Sequence, residues 1–225
     1  MKLPTTYFGP ISWYRQLLQS EAFLTCDNLA GAVSNAIDTG ERYVKQTFRN
    51  HCLIATANGI QKLTVPVAVD HHPALTSEVR LSDHGKWRSE HWNALCSAYG
   101  ESPFFDYYAD DFRPFFERHD WEMLVDFNQA IVMKVVELIE PTPNPSRRDG
   151  RLNTLVNNNT LVTNNTLVNN DSNVEANQTT LPLGGVGGGL IIPYWQVYQQ
   201  RHGFLPDLSI LDLLFCMGPE APLYL

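Results

Sequence analysis

The sequence predicts an α/β fold that starts with a β–α–β unit and continues as a mixed sheet, which includes a β-hairpin and carries helices packed on it. Three observations lead to this prediction. Two short apolar segments flank an amphipathic helical pattern near the N-terminus, an Asn-Gly pair separates two further apolar segments, and longer stretches carry apolar residues at helical spacing. Alternation of strands and helices on this scale is typical of the α/β class.

The N-terminal unit consists of a strand, a helix and a second strand. Residues 3–7 have the pattern of a short strand. Ser12 can cap a helix that runs to about Ser20, and residues 22–26 then form the second predicted strand. Because strand–helix–strand connections within one sheet are right-handed and parallel, we expect the two strands to pair in parallel.

A hairpin is predicted around Asn58-Gly59, a pair that favours a type I′ turn because both central residues of that turn need positive φ. The strands would run roughly from residue 49 to 57 and from 60 to 67, with Pro66 near the end of the second. This register places two apolar pairs on one face, Ile54 with Leu63 and Cys52 with Val65.

The central helices are predicted from apolar stripes and end signals. Ser82 or Asp83 can cap a helix over residues 85–99, which Gly100 ends. The segment 102–116 that follows is rich in aromatic residues. Another helix is predicted to begin near residue 120, with its apolar residues on one face.

The C-terminal block resumes a regular pattern at residues 190–198. Asp207 or Ser209 can cap a short helix, and Gly218-Pro219 ends it.

An insert interrupts this pattern at residues 142–189, where an Asn-Thr-Leu-Val motif recurs every six residues. An Asn-rich polar tract buries too little apolar surface to offset its ordering entropy, so the insert is expected to be disordered. A small β-solenoid is the alternative. Residues 1–141 and 190–225 are therefore predicted to form a single α/β domain.

Composition limits the kinds of partner. The 225 residues carry a formal net charge of −8, so the chain is expected to bind neither nucleic acid nor anionic membranes in general. No apolar run is long enough to span a bilayer and the N-terminus lacks a signal-peptide pattern, which predicts a cytoplasmic protein. The sequence does not determine which cofactor, if any, the protein binds, and it does not determine the oligomeric state.

Metal binding and disulfides are not expected. The chain has no Cys-x-x-Cys pair, and the thiols of its four cysteines are expected to be free. His71-His72 beside Pro73 has no third ligand at a usable spacing. The cysteines are Cys26, Cys52, Cys96 and Cys216.

The densest polar cluster spans residues 43–51. Lys45 and Arg49 share a face on either a helix or a strand, and Tyr43 joins them on a strand. Two neighbouring cations favour an anion between them, and a guanidinium fork beside an ammonium suits phosphate or carboxylate. The alternative is a solvated edge with salt bridges to acidic residues of the same chain.

A second cluster lies on the predicted helix at residues 85–99. His91 is one turn from Trp87, so it is a general base, a ligand to a polar substrate or a core histidine satisfied by one hydrogen bond, and the core interpretation is favoured. Lys86 and Arg88 are expected to be solvated. The loop that follows the first strand, with Tyr7, is a candidate pocket wall because ligands of open parallel sheets bind at strand ends.

Seven blocks of the sequence occur in a recognisable order. They are Tyr7-Phe8-Gly9-Pro10, Tyr43-Val44-Lys45-Gln46-Thr47-Phe48-Arg49-Asn50, Leu63-Thr64-Val65-Pro66-Val67, Trp87 with His91-Trp92, Tyr99-Gly100-Glu101-Ser102-Pro103-Phe104-Phe105, Asp126-Phe127-Asn128 and residues 203–215. Together they resemble the WbqC-like family of bacterial proteins, over roughly residues 3–139 and 193–225. The resemblance implies a link with the biosynthesis of surface polysaccharide, including O-antigen, but no particular reaction.

Two functions follow as hypotheses. The first is an enzyme or accessory factor, a group transferase acting on a phosphate-bearing sugar intermediate, with an anionic small molecule as its ligand. Its residues would be Lys45 and Arg49 for phosphate, Gln46 and Asn50 for polar groups, Tyr7, Tyr43 or Trp87 for binding, and His91 as base. The second is a non-catalytic scaffold of the same pathway. A pocket that joins Lys45, Arg49 and His91 would favour the enzyme hypothesis. An exposed aromatic patch over residues 104–116 would favour the scaffold hypothesis.

Overall fold

The computed structural model describes residues 2–26, 28–68, 74–140 and 192–225. The insert predicted at residues 142–189 and the His71-His72 pair lie outside these ranges, so the disorder of the insert and the domain boundaries on either side of it stay predictions. The described residues on both sides of the insert contribute to one hydrophobic core.

Short strands and helices alternate through the described residues. The strands are β1 (Leu3–Pro4), β2 (Ile37–Asp38), β3 (His51–Thr56), β4 (Gly59–Thr64), β5 (Val67–Ala68) and β6 (Arg80–Leu81). The helices are α1 (Ile11–Gln19), α2 (Glu21–Leu24), α3 (Leu29–Ala36), α4 (Trp87–Tyr99), α5 (Phe105–Phe112), α6 (Pro114–Glu117), α7 (Leu124–Ile139), α8 (Gln199–His202) and α9 (Ile210–Met217), with 3₁₀ turns at Thr76–Glu78 and Gly218–Tyr224.

The strands of the described residues form three separate two-stranded sheets. β1 pairs with β2 in parallel, whereas β3–β4 and β5–β6 are antiparallel. The α/β class is confirmed, but the prediction of one mixed sheet is wrong. Most of these strands have two residues, so they are too short to present a continuous ladder to a further neighbour.

The second strand of the predicted β–α–β unit is also wrong. Residues 22–26 were expected to be extended, but Glu21–Leu24 forms helix α2 because the Ser20 side chain accepts a hydrogen bond from the Phe23 N–H, and Glu21 lies in the first turn. The parallel partner of β1 is instead β2, which follows α3. Asn28 caps α3 by accepting from the Gly31 N–H at 2.7 Å.

The hairpin exists, but its predicted register is wrong by two residues. Cys52 pairs with Leu63 and Thr56 pairs with Gly59. Gly59 takes a φ of 106°, whereas Asn58 is not among the residues with positive φ, so a type I′ turn centred on these two residues is not formed. The Thr56 hydroxyl donates to the Gly59 carbonyl at 2.8 Å and so closes the turn one residue earlier.

Helices α4, α7 and α9 occur where the apolar stripes predict them, although α4 and α7 start later than predicted. Neither Ser82 nor Asp83 caps α4, which starts after Lys86 and has no side-chain cap. α7 starts at Leu124. Ser209 caps α9 as predicted, because its hydroxyl accepts from the Leu211 N–H.

Candidate functional site

The loop after β1 is enclosed by the C-terminal block. Phe8, with a φ of 41°, offers its carbonyl to the Ser209 hydroxyl at 2.8 Å, and Ser12 donates from its N–H and its hydroxyl to the two carboxylate oxygens of Asp207 at 2.8 Å each. Residues 5–10 are buried. The loop therefore holds the N-terminal and C-terminal parts together, and it does not present an open pocket wall.

Tyr7 links this loop to helix α4 and to the polar segment at residues 43–51. Its hydroxyl lies 2.9 Å from Nδ1 of His91, and its N–H donates to the Phe48 carbonyl at 2.8 Å. Both rings are buried, and they pack with Phe127 and Trp87. Burial lowers the pKa of His91 to about 4, so the imidazole is neutral at pH 7. This is the arrangement that the core interpretation of His91 predicts.

Arg49 forms a bidentate ion pair with Glu41. Nε of Arg49 lies 2.8 Å from Oε1 of Glu41, and Nη2 lies 2.6 Å from Oε2. Nη1 donates to the Thr47 hydroxyl at 3.1 Å. A planar fork on a carboxylate is the strongest geometry available to a guanidinium, so an intramolecular acid already occupies the anion-binding edge of Arg49.

The segment that contains Lys45 is a series of turns between Lys45 and Asn50, which is neither helix nor strand. Lys45 and Gln46 are exposed, and Gln46 has a φ of 59°. The expectation that Lys45 and Arg49 share a face rested on regular secondary structure, and the turns remove that basis.

Four buried polar atoms near Arg49 have no hydrogen-bond partner among the described residues. They are the hydroxyl of Tyr43, Oδ1 of Asn50, Nδ1 of His51 and Oδ1 of Asn128. Nδ2 of Asn128 donates to the Arg49 carbonyl at 2.7 Å, and Arg49 partly opposes the rise that burial causes in the pKa of Tyr43. An unpaired buried polar group costs about 1–3 kcal/mol, so such atoms are rarely grouped without a partner. We call Glu41, Tyr43, Arg49, Asn50 and Asn128 the Arg49 cluster.

Trp87 and Arg88 lie at the other candidate region, the start of α4. Arg88 was expected to be solvated, but it is 6% exposed, and its guanidinium carbon lies 4.4 Å from the centre of the Trp87 ring. The sequence signal is the spacing of Arg88 from His91 and Leu95, which puts it on the apolar face of the helix. A cavity of about 350 Å³ borders Trp87 and Arg88, and it is lined by none of Lys45, Arg49 and His91.

A buried carboxylate network was not predicted from the sequence. Asp212 on α9 accepts hydrogen bonds from the hydroxyls of Tyr99 at 2.7 Å and Tyr194 at 2.5 Å, and from Nε2 of Gln196 at 3.1 Å. Burial raises the pKa of Asp212, although these three hydrogen bonds oppose the rise. A lone acid within the apolar run at residues 208–215 is the signal that indicates such a buried carboxylate.

The described residues contain neither a metal-binding group of side chains nor a membrane-spanning helix. No group of three or more His, Cys, Asp or Glu side chains is placed to hold a metal ion within those ranges. Among the helices of the described part of the chain, none has both the length and the apolar character needed to cross a bilayer.

The fold and the site together define an α/β protein in which hydrogen-bonded pairs of residues connect the N-terminal loop, α4 and the C-terminal block. The chain belongs to the WbqC-like protein family, whose profile matches residues 6–186, and this confirms the resemblance. It is similar to the uncharacterized protein Rv1507c of Mycobacterium tuberculosis, with 26% identity over 201 residues, 82% of this chain and 84% of the relative. No solved structure matches the chain significantly.

Proposed function

We propose that this chain acts in the cytoplasm in the biosynthesis of a bacterial surface polysaccharide of the O-antigen type, where it binds a phosphate-bearing sugar intermediate as a group transferase. Membership of the WbqC-like family supports the pathway. The observation that carries the ligand class is the Arg49 cluster, in which a guanidinium paired with Glu41 occurs together with buried acceptors that have no hydrogen-bond partner among the described residues.

The chemistry of the Arg49 cluster matches a phosphosugar. The unpartnered carbonyl oxygens of Asn50 and Asn128 accept hydrogen bonds, and sugar hydroxyls donate them. Arg49 supplies a fixed positive charge for a phosphate, and the exposed Lys45 supplies a second charge close by in the chain. Because Glu41 occupies the Arg49 fork, a bound phosphate competes with this carboxylate for the guanidinium.

His91 has a positioning part in this proposal. Its Nδ1 is engaged by Tyr7, and the Tyr7 N–H holds the Phe48 carbonyl next to Arg49. His91 therefore fixes the loop and the turn segment on which the Arg49 cluster is built, and Trp87 packs against its ring. Because Nδ1 of His91 is engaged by the Tyr7 hydroxyl, His91 is not the base of the transfer reaction in this proposal.

The scaffold hypothesis lacks its expected surface. The aromatic side chains of residues 104–116 pack into the core, and only Tyr107 is strongly exposed, at 68%. A single exposed tyrosine does not make a docking patch of the size that protein partners use.

The test compares nucleotide-sugar binding to paired variants by calorimetry. Arg49→Gln is expected to weaken binding about tenfold or more, since a charge-assisted contact contributes about 1.5–3 kcal/mol. Glu41→Gln is expected to tighten binding several-fold, because it removes the competing carboxylate. Glu122→Gln serves as the control, since that carboxylate pairs with Arg80 on the surface. Nucleotide sugars that bind none of these proteins, or bind all four equally, would contradict the proposal.

A further inference from the structure

The start of α4 places the guanidinium of Arg88 in the interior, where only part of its hydrogen-bonding capacity is satisfied by the described residues. Nη1 of Arg88 donates to the Phe115 carbonyl at 3.1 Å, and the guanidinium carbon lies 4.4 Å from the Trp87 ring centre and 5.5 Å from that of Phe127. Nε is buried and has no hydrogen-bond partner in the described part of the chain. A buried charge is costly unless it is both paired and hydrogen-bonded, and the edge of the guanidinium that carries Nε lacks the hydrogen bond.

Asp83 is the nearest acidic group, and it compensates Arg88 poorly. Its Oδ1 lies 3.5 Å from Nε of Arg88, which is an ion-pair distance without a hydrogen bond, and 3.4 Å from Nδ1 of His119. Asp83 is mostly exposed, so water screens its charge. Glu117, the other acid beside this cavity, pairs with Arg113. Neither of these two acids therefore forms a hydrogen bond with the buried Nε of Arg88.

Residues of the first turn of α4 line the same cavity. α4 has 13 residues, and Lys86 at its N-cap makes no side-chain capping bond. The N–H groups of Trp87, Arg88 and Ser89 precede the first bond of the helical ladder, which runs from the Glu90 N–H to the Lys86 carbonyl at 2.9 Å. The positive end of the helix dipole and these N–H groups together attract an anion.

These observations converge on one cavity of about 350 Å³, which we call the Arg88 cavity and which Asp83, Lys86, Trp87, Arg88 and His119 help to line. We infer that the Arg88 cavity is a binding site for the anionic oxygen group, phosphate or carboxylate, of a small molecule. The group contacts the guanidinium of Arg88 and the N–H groups of the first turn of α4. This site is distinct from the Arg49 cluster and goes beyond the proposed function.

The test is a titration of the isotope-labelled full chain with inorganic phosphate, acetate and, at matched ionic strength, chloride. Nuclear magnetic resonance follows the Nε–H of Arg88 and the amides of Trp87 and Ser89. We expect saturable shifts at these groups with phosphate or acetate and none with chloride. The stronger of the two ligands identifies whether the site prefers a phosphate or a carboxylate.

Two variants are expected to change the affinity for the anion in opposite directions, which makes the test decisive. Asp83→Asn removes the competing carboxylate from an exposed position and is expected to tighten binding several-fold. Arg88→Lys removes the planar edge and is expected to weaken it at least about tenfold, the size of one charge-assisted hydrogen bond. Arg80→Gln, which removes an exposed cation paired with Glu122, is the control and is expected to leave binding unchanged.

Two results would overturn the inference. One is the absence of saturable shifts at the start of α4 with both anions. The other is an affinity that Asp83→Asn leaves unchanged, and this criterion stands even if Arg88→Lys does not fold. Because Arg49 is not part of this cavity, Arg49→Gln is expected to keep the shifts at Arg88, which separates failure here from failure of the proposed function.

Discussion

The hydroxyl of Tyr7 lies 2.9 Å from Nδ1 of His91, in an interior where Tyr7 is 0% and His91 is 5% exposed. Because burial keeps the imidazole neutral, Nδ1 is assigned as the acceptor and Tyr7 as the donor. The Thr64 backbone acts against burial and raises the pKa of His91. The pair of Tyr7 and His91 therefore fixes α4 against the N-terminal loop.

The first prediction concerns the pH dependence of stability. Burial lowers the pKa of His91 from 6.5 to about 4, so below pH 6.5 the unfolded chain binds a proton that the folded chain rejects. Stability is fully present above pH 6.5 and is lost as the pH falls towards about 4. The loss from this group is about 3 kcal/mol. Urea unfolding at pH 7.5 and at pH 4.5 measures the difference.

The control for this prediction is His91→Gln, which has no ionisable group at this position. Burial also lowers the pKa of His51, so some acid sensitivity is expected to remain in the variant. The difference in acid sensitivity between the two proteins belongs to His91. Equal losses of stability in both proteins would show that His91 is protonated as readily in the folded chain as in the unfolded chain.

Long helices with local end signals could be predicted from the sequence. The apolar stripe of α4 and the Ser209 cap of α9 depend on residues within one or two turns. Residues 22–26 were assigned wrongly because a five-residue apolar segment fits a strand or a helix, and the Ser20 cap decided the outcome. The predicted hairpin register was wrong because an Asn-Gly pair does not determine which residues of the turn take positive φ.

The site was harder to predict because its contacts join distant parts of the chain. The sequence indicated that an anion would lie beside Arg49 but left open whether it is a ligand or an acidic side chain, and Glu41 is that acid in the structure. The expected position of Lys45 beside Arg49 assumed a helix or a strand, whereas this segment forms turns. Pairs such as Asn128 with Arg49 and Asp212 with Tyr99 have no local signal that relates them.

The second prediction tests the hairpin turn with a matched pair of variants. Gly59 has a φ of 106°, which is unfavourable for a residue with a side chain, although no atom lies within 4 Å of the place where a Cβ would be. Gly59→Ala is therefore expected to destabilise the protein by about 1–2 kcal/mol. Asn58→Ala is expected to have a much smaller effect, because Asn58 lacks positive φ. Equal losses in thermal unfolding would instead indicate a type I′ turn.

The third prediction concerns the four cysteines, none of which forms a disulfide in the structure. Cys52 and Cys216 are buried, and burial raises the pKa of both thiols. Because the thiolate is the reactive form, these two are expected to resist alkylation in the folded protein. Mass spectrometry after alkylation without reductant should show four labels in denaturant and slow labelling of Cys52 and Cys216 without it. Fewer labels in denaturant would indicate a disulfide.

The fourth prediction addresses Asp212, the carboxylate that joins α9 to α4 and to the segment after the insert. Asp212→Ala leaves the hydroxyls of Tyr99 and Tyr194 without their acceptor in the interior, so we expect a loss of about 3–5 kcal/mol. Asp212→Asn keeps the shape and one acceptor oxygen, and it is expected to cost about 1–3 kcal/mol. Urea unfolding of the two variants measures both losses.

The comparison between the two Asp212 variants separates hydrogen bonding from charge. Burial raises the pKa of Asp212, so the interior opposes its negative charge, and the benefit of the residue lies in the bonds it accepts. An amide that keeps part of this network should therefore be tolerated better than a methyl group. If Asp212→Asn is as unstable as Asp212→Ala, the charge itself is required, and the tyrosine hydroxyls must stabilise a carboxylate in the folded protein.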